Sequence, residues 1–130
     1  MKLQDNYDVG IYCRLSREDR NGCPESLSIA NQRQVLVDYV KEMGWTLVEC
    51  YVDDGFSGTN FDRPEFERMI ADAKAQKFNI IIVKDLSRLG RDYTVTGTYM
   101  EQFFPKNKIR FIAITDNHDS NNKWGNDMVA

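Results

Sequence analysis

The chain has 130 residues, 42% of them hydrophobic and 28% charged, which suits one compact domain with a single sizeable core. No apolar run approaches the roughly 18–20 residues needed to cross a membrane, and residues 1–8 are polar and lack the apolar stretch of a signal peptide, so a cytoplasmic protein is expected. The net charge of −3 argues against a broad basic surface, so any contact with nucleic acid must rest on a local cationic cluster or on a basic domain outside this chain.

Residues 7–14 (YDVGIYCR) hold β-forming side chains and read as a first strand. A charged loop with Gly22 and Pro24 follows. Ser26 or Ser28 is then placed to cap a helix running to about Met43, with Ile29, Leu36, Tyr39, Val40 and Met43 at helical spacing and Gly44 as the C-terminal stop. Residues 45–52 (WTLVECYV) read as a second strand, and residues 53–61 (DDGFSGTNF) as a turn-rich loop. Asp62 with Glu65 resembles a capping box, Pro64 falls in the first turn, and Phe66, Met69, Ile70 and Ala73 share one helix face. Residues 78–83 (FNIIIV) form a continuous apolar run, the mark of a strand buried on both faces. A helix over about 93–104, ended near Pro105, precedes a further buried strand at 109–115 (IRFIAIT). Phe103 and Phe104 are expected in core and interface packing, while His118 and Trp124 fall in a C-terminal loop that faces solvent or a partner.

Strands alternating with helices predict an α/β domain with a mainly parallel central sheet of four to five strands flanked by helices. Such sheets collect ligands at the C-terminal ends of their strands. Three loops fall there, and each carries cations beside hydroxyls: Arg14 and Ser16; Ser57 and Arg63; and Lys84, Ser87, Arg88 and Arg91. Guanidinium forks match phosphate oxygens and keep their charge, so arginines converging beside a serine suggest attack on a phosphate. The plainer reading of any one of them is a solvated charge paired with an acid. Asp53, Asp54 and Asp85 offer a second alternative, a Mg²⁺ site of a nuclease or phosphatase, against the simpler role of shaping the turn before Gly55. Tyr12 reads as sheet packing, and Cys13, Cys23 and Cys50 as reduced thiols, since no C-x-x-C pair is present.

Four motifs, in order, give the chain its resemblance to a known family. Tyr12-Cys13-Arg14-Leu15-Ser16 reads as Y-x-R-x-S. Ser28-Ile29-Ala30-Asn31-Gln32 opens the first helix. Asp54-Gly55-Phe56-Ser57-Gly58 precedes Asp62-Arg63-Pro64, and residues 83–92 (VKDLSRLGRD) contain R-L-G-R. With these the chain resembles the serine recombinases, the resolvase and invertase family, and most of all the large serine recombinases of mobile elements. The resemblance covers about residues 7–130.

It implies a resolvase catalytic-domain fold and a nucleophile, Ser16, that attacks a DNA phosphodiester, becomes joined to the 5′ phosphate and releases a 3′ hydroxyl, with no metal, no cofactor and no ATP. Arg14, Arg63, Arg88 and Arg91 would hold the phosphate and the transition state, Gln32 would orient the site, and Ser57, Ser87 and Lys84 would add phosphate contacts. Many small resolvases carry an aspartate where this chain has Ser87. That departure leaves the general acid and base open, with Asp85 as a candidate proton-transfer helper if it shares a strand face with Ser87. The resemblance also implies duplex DNA as partner, and self-association to dimer and tetramer in a longer protein. Residues 1–130 would then be its N-terminal catalytic domain, cut near the start of a long oligomerisation helix and lacking the DNA-binding domains. A non-catalytic regulatory or assembly module on the same fold is the remaining alternative.

Overall fold

The computed structural model describes residues 7–15, 25–54, 63–90 and 93–120. Strands β1 (Asp8–Leu15), β2 (Thr46–Asp54), β3 (Ile80–Val83), β4 (Arg110–Ala113) and β5 (His118–Asp119) form one sheet in the order β2-β1-β3-β4-β5. The first four are mutually parallel, and β5 returns antiparallel to β4. The helices are α1 (Glu25–Met43), α2 (Pro64–Lys74), α3 (Leu86–Leu89), α4 (Tyr93–Thr98) and α5 (Phe104–Lys106), with a π-helical turn (Tyr99–Phe103) between the last two.

The sequence dictates why both sheet faces are covered. Side chains alternate along a strand, so the unbroken run of β3 sends Ile80 and Ile82 to one face and Ile81 and Val83 to the other, all of them fully buried. The first face packs on Ile29, Leu36 and Val40 of α1. The second packs on Phe66, Met69 and Ala73 of α2, Leu89 of α3 and Phe104 of α5. Gly10 in β1 gives the ring of Phe78 room, since a Cβ there would lie 3.2 Å from it. Cys13 and Cys50 are free thiols on the neighbouring strands β1 and β2, and Cys23 lies outside the described residues. No helix among the described residues is long and apolar enough to cross a membrane.

Several expectations at the element ends need correction. α1 begins at Glu25, ahead of both Ser26 and Ser28. Its C-terminus is as expected: Gly44 takes φ +75°, and the N–H groups of Gly44 and Trp45 bond to the carbonyls of Lys41 and Val40, the pattern of a glycine stop. Met43, expected on the apolar face, is 43% exposed. Asp53 and Asp54 belong to β2, not to a turn. The helix expected to end near Pro105 does so: α4, the π-helical turn and α5 run on without a break to Lys106, one residue past the proline, and the π-helical turn, closed by the Phe104 N–H on the Tyr99 carbonyl, widens the helix before the proline ring. His118 is not in a solvent loop: it lies in β5, half-buried, with its ring 5.8 Å from that of Phe111. Trp124 lies outside the described residues.

Candidate active site

β1 is flanked by β2 on one side and β3 on the other, so the connections leaving β1 and β3 diverge. This is the switch point at which open α/β sheets bind ligands. The last β1–β3 pair is Tyr12 with Val83. Beyond it, the side-chain amide of Gln32 takes the place of a strand. Its Oε1 accepts the Arg14 N–H at 3.2 Å, and its Nε2 donates to the Arg14 carbonyl at 3.1 Å. Gln32 is buried on the same face of α1 as Ile29 and Leu36, and so fixes the end of β1 from that side.

Past Val83 the chain bends and forms α3, only four residues long. Such a helix leaves most of its carbonyls without intrahelical partners. Arg14 and Arg63, both fully buried, supply the donors. Arg14 donates to the carbonyls of Ser87 (2.7 Å) and Arg88 (3.3 Å), and Arg63 to those of Arg88 (3.2 Å) and Leu89 (2.5 Å). Arg88 in turn donates to the Arg14 carbonyl at 3.0 Å. Two arginines from distant segments, Arg14 and Arg63, thus converge on the backbone of one short helix, at the negative end of its dipole, and Arg88 reaches back from that helix to β1.

Arg63 is held by Tyr12, the first residue of the Y-x-R-x-S motif, and through it by Asp53, which no expected motif contains. Its Nη1 donates to the Tyr12 hydroxyl at 2.9 Å, and that hydroxyl donates to Asp53 Oδ2 at 2.9 Å. Asp53 also accepts the N–H groups of Glu65 (3.0 Å) and Phe66 (2.9 Å) and so caps α2, while Asp62 of the expected capping box lies outside the described residues. Arg63 itself is the N-cap residue and Pro64 opens the helix. The guanidinium lies 4.6 Å from the centroid of the Phe66 ring. Burial lowers the Arg63 pKa, opposed by Tyr12 and Asp53, and burial is also the main cause raising that of Tyr12. The arginine nevertheless keeps its charge. Both Asp53 oxygens accept protein donors. No group of three or more potential metal-binding His, Cys, Asp or Glu side chains occurs among the described residues.

Asp85 does not share a strand face with Ser87, because β3 has ended at Val83. The two side chains meet all the same: the Ser87 hydroxyl donates to Asp85 Oδ1, and Asp85 Oδ2 lies 3.6 Å from Arg88 Nε. Lys84 is half-buried at the bend. Of the expected site residues, Arg14, Gln32, Arg63, Ser87 and Arg88 are brought together, with Asp85 beside them. Ser16, Ser57 and Arg91 lie outside the described residues.

A mainly parallel sheet with Arg14 and Arg63 buried at its switch point defines an α/β domain with fixed positive charge at that edge. The chain belongs to the resolvase family of serine recombinases: the family described as "Resolvase, N terminal domain" matches residues 9–130. The N-terminal catalytic domain of TP901-1 integrase is 34% identical, with a TM-score of 0.77 over 88% of this chain and 82% of that one. A resolvase family site-specific recombinase from Streptococcus pneumoniae is 25% identical, with a TM-score of 0.72 over 89% and 77% of the two chains. An uncharacterised immunity region protein of Bacillus phage phi105 is 36% identical over 63 residues, which are 48% of this chain and 74% of that protein.

Proposed function

We propose that this recombinase domain cuts and rejoins duplex DNA through Ser16. The Ser16 Oγ–phosphorus bond forms as the bond from phosphorus to the 3′ oxygen breaks. The serine loses its proton and the departing 3′ oxygen gains one. The resulting 5′-phosphoserine conserves the phosphodiester energy, so the strand can be rejoined to a new 3′ hydroxyl without ATP. The observation that carries this reading is the convergence of Arg14 and Arg63 on the backbone of α3, the helix that carries Arg88, with Ser16 two residues beyond Arg14.

Arg88 and Arg91 would contact the phosphate, aided by Lys84, Ser57 and Ser87. Arg14 and Arg63, buried in low dielectric, supply fixed positive charge to the transition state and keep α3 in place. Gln32 orients the end of β1, and Asp85 is placed through Ser87 to assist proton transfer. The named relatives, an integrase catalytic domain and a site-specific recombinase, support duplex DNA as the substrate. Exchange of strands between two sites calls for self-association to a dimer and a tetramer, in the compartment that holds the DNA.

The test is to incubate the protein, in EDTA, with duplex fragments flanking its own gene, stop with SDS and look for a covalent protein–DNA adduct. An EDTA-resistant adduct lost in Ser16→Ala is expected. Cleavage that requires Mg²⁺ and survives Ser16→Ala would sink the proposal.

A further inference from the structure

A four-residue helix holds itself together poorly, and α3 is fastened at both ends. Arg14 and Arg63 take its C-terminal carbonyls. At its N-terminal end, Asp85 occupies the N-cap with extended backbone (φ −148°, ψ 166°), where an aspartate ordinarily turns its carboxylate onto the N–H groups of the first turn. Here it makes no side-chain cap; its carboxylate is occupied with Ser87 and Arg88. The Leu86 N–H goes instead to Asp116 Oδ2, at 2.6 Å, from the turn after β4. That turn is bonded to the same loop through its backbone, from the Thr115 N–H to the Lys84 carbonyl (2.7 Å) and from the Ile114 N–H to the Val83 carbonyl (3.1 Å). Asn117 completes it with φ +53°.

We propose that Asp116 is a positioning residue of the recombinase site: by holding the first N–H of α3 from the β4 turn, it fixes the start of the helix so that the Asp85 carboxylate stays on the Ser87 hydroxyl and the Arg88 guanidinium. This rests on the function proposed above. Without Asp116 the Leu86 N–H loses its acceptor and the start of α3 is free to shift, which lets the Asp85 carboxylate turn from Ser87 and Arg88 toward the first-turn N–H groups that an N-cap aspartate ordinarily takes. Asp116 is exposed, so its loss leaves the core intact.

The experiment compares wild type, Asp116→Ala, Asp116→Asn, Asp85→Ala and the Asp116→Ala/Asp85→Ala double variant by two readouts. The first is the single-turnover rate of adduct formation at saturating DNA. Asp116→Ala should slow it about tenfold, the effect of losing one hydrogen bond to a charged group, with unchanged DNA affinity. Asp116→Asn keeps an acceptor in place and should restore most of the rate, and Asp85→Ala should cost nothing further once Asp116 is gone. A wild-type rate in Asp116→Ala, or an Asp85→Ala effect of equal size in both backgrounds, overturns the proposal. The second readout needs no activity: the Leu86 amide proton resonance should shift upfield and exchange faster in Asp116→Ala. An unchanged Leu86 amide overturns the cap on its own, whereas a wild type that forms no adduct but shows the Leu86 change overturns the recombinase mechanism instead.

Discussion

Asp53 ties two parts of the site together, because one carboxylate serves two ends. It caps α2 through the Glu65 and Phe66 N–H groups and, through the Tyr12 hydroxyl, holds Arg63. Asp53→Ala should therefore cost about 3–5 kcal/mol, the penalty for stripping a buried cation of its compensating network. Tyr12→Phe should cost about 1–3 kcal/mol, because it takes the acceptor from a buried Arg63 N–H and one donor from Asp53 while the ring stays packed. Urea denaturation of the two variants checks the order; a Tyr12→Phe cost equal to or above that of Asp53→Ala would mean that the hydroxyl, not the carboxylate, is the hub. Arg14, Gln32, Arg63 and Arg88 were legible in the sequence because each sits in a motif with fixed spacing. Tyr12 sits in the Y-x-R-x-S motif but reads as sheet packing, and Asp53 and Asp116 sit in no motif. The roles of all three come from partners far along the chain: Tyr12 bonds Asp53 across 41 residues, and Asp116 reaches Leu86 across 30. Asp53 and Asp54 look alike in sequence, and only alternation along β2 and the approach of α2 single out Asp53.

At the scale of elements, α2 is tied to β2 by a surface cluster as well as by its apolar face. The Tyr51 hydroxyl donates to Asp72 Oδ2 at 2.6 Å, Arg68 bridges Glu49 and Glu65 at 2.7 Å each, and its guanidinium lies 4.4 Å from the centroid of the Tyr51 ring. The exposed ion pairs add little, but the tyrosine bond, with the cations of Lys77 and Arg68 behind it, holds the Asp72 carboxyl below its ordinary pKa. A depressed carboxylate gives stability that is complete above the unfolded value near 4 and fades as pH falls through the lower folded value. Tyr51→Phe should thus cost about 1–3 kcal/mol at neutral pH, and the gap from wild type should narrow in acid. Melting curves at pH 7 and pH 3 measure it; a gap that is constant or wider at pH 3 would show that the ring, not the bond to Asp72, carries the effect. The existence of α1 and α2 followed from apolar spacing and from Gly44 and Pro64, signals that act within a few residues. The start of α1, the short α3 and the π-helical turn did not follow, since each depends on what the rest of the fold offers its unpaired backbone groups.

For the whole molecule, the parallel sheet was legible from the order of elements and from the two-sided apolar run in β3, whereas the two-residue β5 is too short to leave a pattern. Charge is the property that the complete chain sets. Seventeen basic residues stand against 20 acidic ones, and two of the arginines at the switch point, Arg14 and Arg63, are fully buried with guanidinium donors spent on α3 carbonyls. That leaves Lys84, Arg88 and Arg91 as the cations proposed to meet phosphate, against an acidic remainder. Affinity for DNA rises with the number of phosphates neutralised, and its logarithm falls with that of salt by about 0.9 per phosphate on duplex DNA. Three contacts predict a slope of about −3 for this chain, and weak binding throughout. Fluorescence anisotropy with a labelled duplex between 50 and 200 mM salt, a range chosen on the same basis, gives the slope directly. A value near −3 that flattens by about 1 in Arg88→Ala would assign Arg88 to a phosphate. A slope steeper than about −6 would require a basic face far larger than the switch point provides, and would move DNA binding away from the arginines around α3.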